Sequence, residues 1–255
     1  MEFVYGDRQC IESFGRSKQM ISTTTAKIMN ILPDKFVTYA SKKIVNKYLK
    51  KYANIDIERS ENLKGIKTPT IFICNHLSNS DGLVLDKALK EIDPTFVAGV
   101  KLSNNVVTSI GVNVIKTTNI KPNTTDKEGL KKIIKLVKQG ESLLIFPEGT
   151  RSRVGSLIEA KKGILLIARM TGAPIVPIGL YGTDKLLPIN KEGDMSGETF
   201  NYADVHINIG KQFEFPKRAK DQDKKEYDDF ATKYIMKKIA ELLPENYRGV
   251  YKLVD

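Results

Sequence analysis

Two short polar turns in this chain carry the residue types that acid–base chemistry needs. The first, Asn75-His-Leu-Ser-Asn-Ser-Asp81, sets a histidine five residues before an aspartate. The β-branched, apolar run Thr70 to Cys74 reads as a strand, and Leu83, Val84, Leu85, Ala88 and Leu89 fall at helical spacing, so the turn joins strand to helix. On one continuous helix His76 and Asp81 would point about 140° apart; across a turn they can meet. A carboxylate on one ring nitrogen fixes the tautomer of the other and stabilises the imidazolium that forms, which is what a general base requires. The same residues also fit a capping box, with Ser78 as cap and Asp81 reaching back to a free N–H. That explains Asp81 without chemistry. His76 is less easily explained, since the chain has two histidines and this one follows a buried strand at a turn, where active-site residues of α/β sheets lie.

The second turn, Pro147-Glu-Gly-Thr-Arg-Ser152, follows the apolar run Ser142 to Phe146. Further strands are predicted at Thr95 to Val100, Asn113 to Thr117, Ala173 to Leu180 and Asp204 to Gly210, and helices at Lys127 to Gln139 and Ala160 to Met170, closed by Gly140 and Gly172. Pro177 inside its strand marks an edge, a bulge or a break in the ladder. Tyr227, Phe230, Ala231, Tyr234, Ile235 and Leu242 stripe a terminal helix ending at Pro244 and read as core. Strands alternating with helices predict an α/β fold: a mixed, largely parallel sheet flanked by helices. Turns at the carboxyl ends of neighbouring parallel strands converge on one crevice, so His76, Asp81, Glu148 and Arg151 can share a site. His206 falls on the polar face of its strand and is expected to be structural.

At 255 residues, 41% of them hydrophobic, the chain can build one main domain with a small helical appendage. A formal charge of +11 predicts an anionic partner: nucleic acid, a phospholipid surface, or a phosphorylated or acidic substrate. Cys10 and Cys74 lie far apart with no CxxC, so neither a disulfide framework nor a thiolate metal cluster is indicated, and a reducing compartment is expected. The cysteines and histidines match no zinc spacing. No secretory signal is visible in residues 1–25, and the most apolar window, 163–182, is broken by Arg169, Pro174 and Pro177. Membrane association, if any, is therefore interfacial. Two N-terminal helices are predicted, from Ser17 to Leu32 and from Asp34 to Tyr52. In the second, Phe36, Val37, Ala40, Ile44, Val45, Tyr48, Leu49 and Tyr52 gather on one side amid Lys35, Lys42, Lys43, Lys47, Lys50 and Lys51. Such a helix either lies in a membrane interface or packs on the domain and solvates its lysines.

Taken together, Asn75-His-Leu-Ser-Asn-Ser-Asp81, Phe146-Pro-Glu-Gly-Thr-Arg-Ser152, Lys161-Lys-Gly163 and Val176-Pro-Ile178 resemble, in order and separation, the sequence blocks of the glycerophospholipid acyltransferases, most nearly the bacterial 1-acyl-sn-glycerol-3-phosphate type. The resemblance covers roughly residues 65–215, and HxxxxD with FPEGTRS is a specific pair. It implies transfer of a fatty acyl group from acyl-CoA or acyl carrier protein to the free hydroxyl of 1-acylglycerol-3-phosphate, giving phosphatidic acid. His76 is then the base and Asp81 its orienting partner. Glu148, Gly149, Thr150 and Arg151 hold the acceptor, and Lys101 binds anion. No metal and no cofactor beyond the thioester co-substrate is implied. Where the family carries an arginine after a Gly and a short strand, this chain ends Gly111 to Thr117 with Ile115-Lys116-Thr117, so Lys116 is left to supply that charge as a point donor.

The resemblance also implies a monotopic or peripheral protein on the cytoplasmic face of the cell membrane, with a two-helix hook at residues 17–52 on anionic lipid. The expected division is a membrane-contact segment at residues 1–55 and an acyltransferase domain at 56–255. Competing readings are the same transfer to another lysophospholipid or a glycolipid, and a non-catalytic binder of anionic lipid. A serine hydrolase lacks its GxSxG elbow. Cys74 belongs to a buried run, which makes it a poor nucleophile, and no pattern for nucleic-acid binding is present.

Overall fold

The computed structural model describes residues 34–99, 114–121, 126–190 and 198–252. Its elements are α1 (Asp34–Tyr52), β1 (Ala53–Glu58), β2 (Ile71–Cys74), α2 (Asp81–Ala88), β3 (Thr95–Gly99), β4 (Thr117–Ile120), α3 (Lys127–Lys138), β5 (Leu143–Ile145), α4 (Gly163–Thr171), β6 (Ile175–Tyr181), α5 (Thr183–Leu186), β7 (Ala203–Ile209) and α6 (Lys224–Ala240), with a 3-10 turn at Ser60–Leu63 after β1 and two more, Glu245–Tyr247 and Gly249–Tyr251, after α6. The seven strands form one sheet in the order β1-β7-β6-β2-β5-β3-β4. All neighbours run parallel except β6 and β7. The sheet is mixed and largely parallel, as the alternation of strands and helices predicts.

Side chains alternate across the central strand and build a core on each face. Phe72 and Cys74 enter one core with Val176, Ile178, Val205 and Ile207, covered by α1, α2 and α5. Ile71 and Ile73 enter the other with Ile133, Ile164, Leu165, Tyr227 and Ile235, covered by α3, α4 and α6. Asp126 and Asp223 cap α3 and α6 by accepting N–H groups of the first turn. Gly172 ends α4 at φ 64°, the left-handed conformation in which glycine avoids a Cβ clash.

Several expectations are revised. The sequence reading of residues 113–117 as a strand is displaced: β4 spans Thr117–Ile120, and its polar Thr-Thr-Asn-Ile run lacks the apolar signal a buried strand shows. β1 carries no expectation at all, because its short alternation follows a lysine-rich helix with no intervening turn residues. Pro177 lies in an interior strand, at a break in the ladder. Pairing between β6 and β7 starts at Ile178 with Ile209, and Gly210 donates to the Pro177 carbonyl where the pairing ends.

α1 spends its apolar side inward. Val45 and Leu49 are buried in the same core as Phe72, and Ile44, Tyr48 and Tyr52 pack against it. This helix thus shares one core with the sheet. Phe36 and Tyr39 remain exposed on this helix. The predicted first helix of the hook, 17–32, lies outside the described residues.

Candidate active site

His76 and Asp81 are brought together by the turn between β2 and α2. His76 Nδ1 lies 2.8 Å from Asp81 Oδ2, which also accepts the backbone N–H groups of Leu77 at 2.6 Å and Ser78 at 2.9 Å. The two backbone donors set Oδ2 as an acceptor, which assigns the ring proton to Nδ1 and leaves Nε2 to offer its lone pair. The Asp81 side chain is 0% exposed, whereas that of His76 is 22% exposed. The imidazole stacks on Phe146 at 4.1 Å between centroids and 14° between planes. The capping and catalytic readings of Asp81 therefore use the same oxygen. Ser78 Oγ does not cap α2; it donates to the Leu187 carbonyl and accepts from Ser80 N.

The second turn, after β5, clamps the peptide on either side of His76. β2 and β5 are parallel neighbours with Ile73 beside Ile145, so both turns leave the same edge. Glu148 Oε1 accepts the His76 N–H at 2.7 Å, and Ser152 N donates to the His76 carbonyl at 2.7 Å. The other Glu148 oxygen accepts Ile158 N–H at 3.0 Å. Burial pushes the Glu148 carboxyl up to about 7, although the two backbone donors pull it down. Gly149 takes φ 68°, and a Cβ there would meet Lys161 Cγ at 2.9 Å, so the lysine stem passes close over the turn.

A family model described as Acyltransferase matches residues 54–181, just over half of the chain and spanning both turns. The chain belongs to the Acyltransferase family. It is 36% identical over 159 residues to a chloroplastic 1-acyl-sn-glycerol-3-phosphate acyltransferase of Brassica napus, covering 61% of this chain and 44% of that protein. It is 32% identical over 136 residues to a probable 1-acyl-sn-glycerol-3-phosphate acyltransferase of Mycoplasma genitalium, covering 49% of this chain and 48% of that one. The chain thus spans less than half the length of these relatives in the matched region. The crystal structure of the 1-acyl-sn-glycerophosphate acyltransferase PlsC from Thermotoga maritima shares the fold, with a TM-score of 0.56 at 23% identity, covering 88% of this chain and 85% of that one.

Not every predicted site residue of this family member is placed for the expected role. Glu148 is buried with both oxygens taken by backbone; it braces the His76 turn and does not face an acceptor, a correction to its expected role. Lys116 precedes β4, which runs parallel to β3, and so lies at the amino edge of the sheet, opposite His76. There it pairs with Glu141 at 2.5 Å, which removes it from acceptor binding. Lys101 lies outside the described residues. Gly149 and Thr150 are exposed on the second turn, and Arg151 donates from Nη1 to Glu198 at 2.7 Å.

Three further contributors were not foreseen. The Asn75 amide donates to the Leu180 carbonyl at 2.7 Å and accepts Leu180 N–H at 2.8 Å, extending the pairing of β2 with β6 where the strand stops. Glu198 bridges Arg151 and Asn79. The terminal 3-10 turns hold the loop behind Glu148: Leu157 N donates to the Tyr247 carbonyl, and Ala160 N to the Tyr251 hydroxyl. An asparagine beside the histidine was a visible signal for the first of these. A glutamate in an aperiodic loop and two tyrosines after Pro244 gave none. His206 stacks on Tyr181 in β7, on the polar face its strand pattern predicts.

Proposed function

We propose that this chain moves a fatty acyl group from a thioester, acyl-CoA or acyl carrier protein, to the free hydroxyl of 1-acylglycerol-3-phosphate, giving phosphatidic acid. The observation that carries the reading is the His76 imidazole, held through Nδ1 by a buried carboxylate and reaching solvent at the mouth of the sheet. Nε2 takes the hydroxyl proton as the acceptor oxygen bonds to the thioester carbonyl carbon. Collapse of the tetrahedral oxyanion breaks the C–S bond, and the imidazolium returns its proton to the departing thiolate. Asp81 stabilises the imidazolium in between. Arg151, on the second turn, meets the acceptor phosphate with its planar donors. The names of the relatives support this acceptor.

The lipid substrate calls for a protein that sits at the interface, on the cytoplasmic face and on anionic lipid. Support comes from the lysine-rich outer side of α1, its exposed Phe36 and Tyr39, and a net charge of +11. No helix among the described residues is long and apolar enough to cross a membrane. The test is a thiol-release assay of the purified chain with both donors across a panel of lysophospholipids. Transfer to lysophosphatidic acid that disappears in His76→Ala is the expected result, and absence of transfer to every acceptor with either donor overturns the proposal.

A further inference from the structure

Glu198 lies between α5 and β7, outside both motif turns, yet it touches each of them. Its side chain is 2% exposed. Oε1 accepts from Arg151 Nη1 at 2.7 Å, and Oε2 accepts from Asn79 Nδ2 at 2.6 Å. Asn79 belongs to the turn that carries His76, and Arg151 to the turn after β5. A buried carboxylate is costly unless paired, and here its two partners come from the two halves of the site.

The form of the contact matters more than its presence. A guanidinium offers five N–H donors in a rigid plane, and Glu198 engages Nη1 through a single oxygen. Arg151 keeps 17% of its side chain exposed, so donors remain for an anion from outside. A free arginine would have to be ordered by each incoming phosphate, at the cost of its rotamer freedom. An arginine tethered at one edge has lost that freedom before the phosphate arrives.

We propose that Glu198 is a positioning residue for the acceptor: it holds Arg151 by one edge, so that the remaining N–H groups meet the acceptor phosphate. Through Asn79 it registers that setting against the turn bearing the base. This rests on the acyl-acceptor reading above and assigns part of its specificity to a residue outside the motif blocks. The tether acts by hydrogen bonding, so a neutral amide of the same size retains part of it.

The experiment measures acceptor and donor saturation separately for Glu198→Ala and Glu198→Gln, alongside calorimetric binding of a short-chain lysophosphatidic acid in the absence of donor. Expected for Glu198→Ala is a rise of about tenfold in acceptor KM and in the lysophosphatidic acid Kd, with donor KM and kcat within about twofold; Glu198→Gln should show a smaller rise. A merely structural role would lower kcat for both substrates without this split. Should Glu198→Ala fail to fold by circular dichroism, Asn79→Ala decides, because it frees Oε2 alone and should raise acceptor KM by a few fold. An unchanged acceptor KM and Kd overturns the proposal, as does tighter acceptor binding, which would make Glu198 a competitor for Arg151. Wild-type transfer with an unmoved variant KM sinks the Glu198 role alone. Wild-type binding without transfer sinks the acyltransferase reading while the Kd comparison still decides the role of Glu198.

Discussion

The two histidines of this chain sit in surroundings that look alike and differ in one respect. Each stacks on an aromatic ring with 14° between planes, His76 on Phe146 and His206 on Tyr181. Each also has an aspartate near Nδ1. For His76 that aspartate is buried, 2.8 Å away and fixed by two backbone donors. For His206 it is Asp56, 59% exposed and 3.6 Å away. Stacking and a nearby carboxylate are therefore common to both, and only His76 has the fixed partner that the proposed base requires. What separates the two is whether the carboxylate is immobilised where solvent screens it least.

The largest effect expected from breaking this comparison is at His76. Replacement by alanine should cost transfer toward the upper end of the ~10²–10⁴ range of base catalysis, with an unchanged circular dichroism spectrum. Asp81→Asn keeps an oxygen for the three donors but removes the charge that balances an imidazolium. Thiol release should fall by about 10², the lower end of that range.

A third measurement probes the brace behind His76. Glu148 holds its proton up to about pH 7 when folded and releases it near 4.5 otherwise. Between those values the native state binds more protons, so stability falls as pH rises from about 4.5 to about 7 and levels off beyond. The loss is roughly 3 kcal/mol at most. Glu148→Gln should flatten that stretch of the melting-temperature profile. The smallest effect belongs to the second histidine: His206→Ala should leave transfer within about twofold and cost about 1 kcal/mol of stability from the lost stack.

Much of this arrangement was legible in the residues. β2, its turn and α2 announce themselves by an abrupt change from β-branched to polar to helically spaced residues, and both motif turns follow strands of that kind. Parallel pairing then brings the turns together without further information. Glu148 and Lys116 were misread because residue type and spacing do not say which way a side chain points or where a register starts. Glu148 is polar and beside the site, but backbone N–H groups left over at the end of β2 and at Ile158 claim it. Lys116 depended on a strand whose signal was absent. Glu198 stayed hidden for a related reason: its partners are more than forty residues away, and nothing in its own loop repeats.

One feature of the clamp bears on how the molecule comes into being. The peptide around His76 is gripped by Glu148 on its N–H and by Ser152 on its carbonyl, groups that leave the ribosome more than seventy residues later. A nascent chain halted before that point already contains His76 and Asp81, and Asp81 can hold Leu77 and Ser78, but the His76 peptide lacks its clamp. Competence should therefore switch on late in synthesis, no earlier than the docking of β5 beside β2, and a half-made copy would stay inert until then.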